Sequence, residues 1–247
     1  MLRPLEGDGT AARRRPSRLG DARRAGTGVT AVLVVIAKAP VQGRVKTRLC
    51  PPCTPAHAAA IAKASLVDTL TTVAAVPAPR RLLALDGAAG PWVPDPFEVV
   101  PQRAGGLADR LADVFKRAGG PAFVVGMDTP QLTPALLAHA ARQLRQADAV
   151  LGLANDGGYW GIGLREPDPE AFAGVPMSTP DTGAAQRERL RELGLSVRDL
   201  PILRDVDTYE DALAVARLAA PQSAFASMMT VVAELLADKR GLAVSDR

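Results

Sequence analysis

Four cations fall within eleven residues of the chain, Lys38, Arg44, Lys46 and Arg48, with only Pro40 and Gly43 to shape the turn between them. Lys46 and Arg48 flank Thr47, so on an extended segment both point to one side. Two cations on one face, with backbone amides nearby, suit a di- or triphosphate. Arginine grips phosphate oxygens bidentately, and lysine acts as a point charge. The G-x-x-x-x-G-K-[ST] spacing is missing, so this is no Walker A loop. A solvated basic loop is the plainer reading. The loop's position directly after an apolar run favours phosphate binding instead.

Two acidic loops supply the opposite charge. Residues 123–127 are an apolar run that ends in Asp128-Thr129-Pro130. A carboxylate at such a strand end faces the crevice where ligands collect, and Mg2+ is commonly held by one or two carboxylates plus substrate phosphates. Asp128 is therefore a candidate metal ligand, although Asp also starts turns before Pro. Further on, Asp205-Val206-Asp207-Thr208 precedes a helical stretch. Asp207 or Thr208 suits its N-cap, and either Asp205 or Asp207 suits a second ligand position. The turn Asn155-Asp156-Gly157-Gly158 leads into Tyr159-Trp160-Gly161-Ile162-Gly163. Gly157 and Gly158 allow a ligand to approach the backbone, and the aromatic pair suits either a sugar platform or the core.

The elements that must position these loops alternate. Residues 30–37, 81–85, 97–100, 122–127, 149–154, 159–164 and 196–200 read as strands. Residues 55–76, 107–117, 134–146, 182–193 and 209–218 read as helices, with Thr54, Thr133 and Thr208 as capping candidates. A further helix over 222–238 carries Ala224, Met228, Val231 and Leu235 along one side. Alternation of this kind predicts an α/β fold, a mostly parallel sheet with helices on both faces in a Rossmann-like three-layer sandwich. The three charged loops all fall at predicted strand ends. The expected organisation is a disordered Arg-rich tail over 1–28, one domain over 29–220, and a C-terminal helix and tail over 221–247.

Composition narrows the classes. The chain has 247 residues, 47% hydrophobic and 23% charged, which fits a globular protein and excludes collagen-like and wholly disordered ones. The formal charge of +4 sits in residues 1–28, where seven Arg face three acids, so the remainder is neutral and not a bulk nucleic-acid binder. No apolar run nears the ~20 residues of a membrane span. Arg23 and Arg24 before the apolar run 29–37, with Ala37-Lys38-Ala39 after it, imitate a signal peptide. The run is short and rich in strand formers, so a buried strand is the expectation. Two cysteines provide no disulfide framework and suit a cytoplasmic protein. Cys50-Pro51-Pro52-Cys53 has redox-motif spacing, but the surrounding pattern of a thioredoxin-like site is missing, and with His57 it falls one ligand short of tetrahedral zinc.

Taken together, K-A-P-V-Q-G-R-V-K-T-R-L, Q-R-A-G-G-L-A-D-R-L, G-M-D-T-P, D-G-G-Y-W-G-I-G-L and D-V-D-T-Y-E-D resemble a bacterial family of GT-A-fold transferases described as glycosyltransferases, some linked to arsenosugar biosynthesis. The likeness spans about residues 30–215. K-T-R-L and D-V-D-T also resemble, more distantly, phospholactate and molybdenum-cofactor guanylyltransferases. The resemblance implies a GT-A-like nucleotide-binding sheet and a divalent metal, Mg2+ or Mn2+. It assigns Lys38, Gly43, Lys46 and Arg48 to nucleotide phosphates, Asp128 to metal and Asp207 to a second ligand position. Thr47, Gly157 and Gly158 complete the nucleotide-binding candidates. The family commonly has Trp where Met177 stands. The expected partners are a nucleotide or nucleotide-sugar donor and a small acceptor. The expected reaction is metal-dependent glycosyl transfer, with charge on the leaving group met by Lys46 and Arg48 and with Asp156 as general base. The alternatives are nucleotidylyl transfer that releases pyrophosphate, and nucleotide binding without catalysis.

Overall fold

The computed structural model describes residues 31–245, with side chains described to Asp238. The expected tail over 1–28 lies outside the described residues. One seven-stranded sheet organises the described residues. Its strands are β1 (Val32–Lys38), β2 (Arg81–Asp86), β3 (Glu98–Pro101), β4 (Ala122–Val125), β5 (Ala149–Ala154), β6 (Tyr159–Leu164) and β7 (Val197–Leu203), in the spatial order β3-β2-β1-β4-β6-β5-β7. Only β6 runs antiparallel to its neighbours, β4 and β5. The apolar run that imitates a signal peptide is β1, paired on both sides with β2 and β4. β1 and β4 are apolar on both faces because helices cover both.

Helices α1 (Pro55–Ala74) and α3 (Pro134–Leu144) pack on one face, where Leu66, Leu70 and Leu137 meet Leu33, Val35 and Phe123. On the other face α2 (Leu107–Ala118) and α4 (Thr182–Glu192) meet Val32, Val34 and Ile162. Threonine caps start three of the helices: Thr54, Thr133 and Thr208 accept from His57, Leu136 and Asp211 backbone N–H groups. Gly161 and Gly163 in β6 are set by packing: a Cβ at either would come within 2.8 Å of the Phe123 ring. That ring lies edge-on to Trp160, with centroids 5.9 Å apart.

A further layer forms where α5 (Tyr209–Ala216) and α6 (Ala224–Ser245) cover the outer side of α1. This explains the Ala-rich, weakly amphipathic α1, which is buried on two sides. Asp68 of α1 accepts the α6 N–H groups of Ala224 and Phe225 at 2.9 and 2.8 Å. The side of α6 facing α1 and α5 is Phe225, Met229, Val232 and Leu236. Of the row Ala224, Met228, Val231 and Leu235, the first two pack partly buried against this layer, and Val231 and Leu235 are exposed. Both rows have helical spacing, and the docking of α6 on α1 decides which is buried. No helix among the described residues is long and apolar enough to cross a membrane.

Candidate nucleotide-binding cleft

The carboxyl ends of β1 and β4, the β5–β6 turn and the segment after β7 surround a cleft of about 670 Å3. Crevices at this rim of an open α/β sheet are where ligands bind. The cations of the first loop reach it because two apolar anchors clamp the chain on either side. Val45 is buried in the sheet core and Leu49 in the α1–α5–α6 core. Lys46, between them, adopts a left-handed backbone with φ 47° and ψ 39°. That conformation costs a non-glycine residue about 1–2 kcal/mol. The Lys46 side chain is only 9% exposed.

The acids arrive by backbone lacing. Ser65, buried in α1, donates a 2.6 Å hydrogen bond to the Met127 carbonyl, immediately before Asp128. The Asp128 carbonyl accepts from Val206 N–H at 2.9 Å, and the Gln131 amide donates to the Arg204 carbonyl at 2.7 Å. The loop after β4 is thereby tied to the loop after β7. Thr208, not Asp207, caps α5, which leaves the Asp207 carboxylate facing the cleft.

Lys46 Nζ lies 2.7 Å from Asp128 Oδ1 and 3.3 Å from Asp207 Oδ1, and Arg48 Nη1 lies 3.1 Å from Asp207 Oδ2. The basic and acidic loops are in direct contact, without an intervening gap. Burial alone would push Lys46 down, but the charges of Asp128 and Asp207 hold it above the ordinary lysine range. Asp205 sits beside them, pushed up to about 8 by burial first and then by Asp156 and Asp128. Two oxygens there suit a hard cation. Asp205 Oδ1 is buried without a hydrogen bond, and Asp128 Oδ1 accepts none beyond its oblique charge contact with Lys46. No group of three or more His, Cys, Asp or Glu among the described residues is arranged to hold a metal. Asp128 and Asp207 would hold Mg2+ or Mn2+ only with phosphate oxygens or water completing the shell, which is usual for Mg2+.

Lys38, Thr47, Arg48, Asp156 and Gly158 also line the cleft. Gly43 is an exposed turn residue and Gly157 packs backward, so neither reaches the wall. Gly157, at φ 88°, has no room for a Cβ because the Pro180 carbonyl lies against it. Its own carbonyl accepts from Gly183 N–H at 2.8 Å, which joins the β5–β6 turn to the start of α4. Asp156 is exposed, and its Oδ1 accepts from Gly158 N–H at 2.8 Å. Trp160 is core, its indole N–H donating to the Pro201 carbonyl at 3.0 Å. Tyr159 remains at the wall, its hydroxyl bonded to Gln186 and its pKa raised by burial.

Sequence reasoning missed two parts of the wall. Gln102 donates to the Ala37 and Ala84 carbonyls at 2.7 and 2.9 Å and accepts from Arg110 at 3.1 Å, pinning β1 and β2 together at the cleft. Its place at the head of Q-R-A-G-G-L-A-D-R-L was the available signal. Ser178, Thr179 and Thr182 line the opposite side. Ser178 and Lys46 are the non-glycine residues with positive φ among the described residues, and both face the cleft. Strain of this kind clusters at functional sites. Cys53 is buried among α1, α5 and α6, so the Cys50/Cys53 pair belongs to the packing rather than to the cleft wall.

Comparison with known proteins agrees with this architecture. Residues 60–179 match the family described as uncharacterized protein conserved in bacteria (DUF2064), a stretch that includes Asp128 and the glycine turn. No curated protein matches the sequence significantly. A candidate nucleotide-diphospho-sugar transferase of Desulfovibrio desulfuricans G20 superposes with a TM-score of 0.77 at 24% identity, over 85% of this chain and 98% of that one. A CMP:2-keto-3-deoxy-manno-octonic acid synthetase, solved with CTP, gives 0.50 at 14% identity over 76% and 99%. The chain thus has the α/β fold of the nucleotide-diphospho-sugar transferases.

Proposed function

We propose that the protein is a transferase that moves a sugar from a nucleotide-sugar donor to a small acceptor. The observation that carries this reading is the convergence of Lys38, Lys46 and Arg48 with Asp128 and Asp207 in one cleft, at the sheet rim where nucleotides bind. Lys46 and Arg48 bind the donor diphosphate and neutralise charge that grows on the departing nucleoside diphosphate. A divalent cation held by Asp128 and Asp207 would supply further Lewis-acid stabilisation of that charge. Asp156 and Gly158, facing Ser178 and Thr179, form the wall against which an acceptor hydroxyl is oriented, with Asp156 receiving its proton.

A second reading, nucleotidylyl transfer with release of pyrophosphate, is favoured by one feature. Asp156 Oδ1 is already engaged by Gly158 N–H, and an anionic nucleophile needs no side-chain base. Incubation with Mg2+ or Mn2+ and a panel of nucleotides separates the two. Acceptor-dependent release of nucleoside diphosphate from a nucleotide sugar supports the first, and pyrophosphate release from a triphosphate the second. If neither class of nucleotide raises the melting temperature with metal present, the transferase reading fails. Asp128→Ala is expected to abolish metal-dependent nucleotide binding, and unchanged affinity would refute the ligand assignment.

A further inference from the structure

We infer that Lys46 makes metal capture conditional on phosphate: its ammonium is a resident counter-ion that a divalent cation must displace. The inference rests on the nucleotide-transferase reading and extends it to the order of binding. Lys46 Nζ stands 2.7 Å from Asp128 Oδ1 and 3.3 Å from Asp207 Oδ1, where a cation shared by the two carboxylates would sit. Its side chain is 9% exposed and the Asp128 oxygen it meets is buried, so solvent screens that contact weakly. An ammonium and a divalent ion cannot share that space, since like charges repel strongly at such range in a poorly screened site.

The loop's geometry gives the ammonium somewhere else to go. Lys46 is in a strained left-handed conformation between the fixed anchors Val45 and Leu49. Lys38 and Arg48 line the same cleft, with the Arg48 side chain 76% exposed. A phosphate group drawn to these cations offers Lys46 a replacement anion. As Lys46 swings onto it, Asp128 and Asp207 lose the ammonium they share and can accept a divalent ion. Metal and phosphate then bind synergistically, and the carboxylates do not collect metal from solution in the resting protein. Arg48 keeps one Asp207 oxygen engaged at 3.1 Å meanwhile, so the acidic loop holds its position.

Equilibrium dialysis at fixed free Mn2+, with and without inorganic pyrophosphate, tests this on the full chain. Wild type is expected to bind Mn2+ weakly alone and at least about tenfold more tightly with pyrophosphate. Lys46→Met, which keeps the stem and removes the charge, is expected to bind Mn2+ alone at least about tenfold more tightly than wild type and to gain less from pyrophosphate than wild type does. Lys46→Arg should resemble wild type. Mn2+ binding by Lys46→Met no tighter than wild type overturns the inference while leaving the transferase reading intact. Should Lys46→Met fail to fold, the wild-type arm decides: affinity unchanged by pyrophosphate overturns it. Absence of Mn2+ binding in every arm overturns both the inference and the metal-dependent reading.

Discussion

The Ser65 hydroxyl and the Met127 carbonyl meet at 2.6 Å, and this buried hydrogen bond fixes the backbone from which Asp128 projects. Ser65→Ala leaves the carbonyl without that partner, a loss of about 1–3 kcal/mol. Chemical denaturation should show it, together with, on the proposed function, weaker metal-dependent nucleotide binding. Thr69→Val, which removes the 2.9 Å bond from Thr69 to the Ser65 carbonyl, is the control. It should destabilise without the binding defect. Equal binding defects in the two variants would argue against a positioning role for Ser65.

Arg48 pairs with Asp207 from a side chain 76% exposed. Exposed pairs of this kind contribute at most about 1 kcal/mol. Arg48→Ala should therefore melt close to wild type; on the proposed function it should bind nucleotide more weakly, with a difference that shrinks as salt screens the proposed phosphate contact. Calorimetry at low and high ionic strength would measure both effects.

Asp68 holds α6 through two backbone N–H groups. Asp68→Ala frees both from a charged acceptor at a helix N-terminus, costing about 1–2 kcal/mol. Asp68→Asn keeps one acceptor oxygen and should fall between. Urea midpoints, with limited proteolysis reporting release of α6, provide the measurement.

The Cys53 thiol is pushed up to about 11, by burial first and by neighbouring Cys50 second. At pH 8 that leaves roughly one thiol in a thousand ionised. Alkylation of native protein should therefore occur at Cys50, with Cys53 reacting only after denaturation. Mass spectrometry of iodoacetamide adducts distinguishes the sites.

Asp148 is desolvated, which raises its pKa, but hydrogen bonds from Ser196 and the charge of Arg165 outweigh this and hold it below the ordinary carboxylate range. A depressed pKa stabilises the fold above the unfolded value of about 3.9 and loses that contribution as pH falls through the folded value. Asp148→Asn should flatten the acid limb of the stability profile below about pH 4 and leave its shape above pH 5 unchanged.

The layers of this fold were legible because local rules agreed with the global one. Apolar runs gave β1, β4 and β5, and Thr54, Thr133 and Thr208 marked helix starts that the structure keeps. The charged loops at the rim were legible because strand ends are few and ionic side chains conspicuous. The choice between Asp207 and Thr208 as cap required the helix itself. The α6 face was not legible, since Val231 and Leu235 have the same helical spacing as Val232 and Leu236. The role of Ser65 was invisible because its hydrogen bond goes to a backbone carbonyl 62 residues away in the chain, and the motif that Gln102 heads did not disclose its bond to the Ala37 carbonyl, 65 residues away. Direct contact of Lys46 with Asp128 escaped sequence reasoning for the same cause: spacing along a chain sets which loops share a rim, and tertiary lacing sets how closely they approach.

The hydrogen bond from Gly183 to Gly157, with the Pro180 carbonyl closed over the same glycine, has a bearing on how this scaffold could diversify. The tip of the hairpin and the segment leading into α4 interlock main chain to main chain, so neither can be exchanged without reshaping the other. A chimera that places any residue but glycine at 157 would break the seam, whereas recombination that carries 155–183 as one block preserves it. Diversification of this cleft wall should accordingly proceed by inheritance of that whole block.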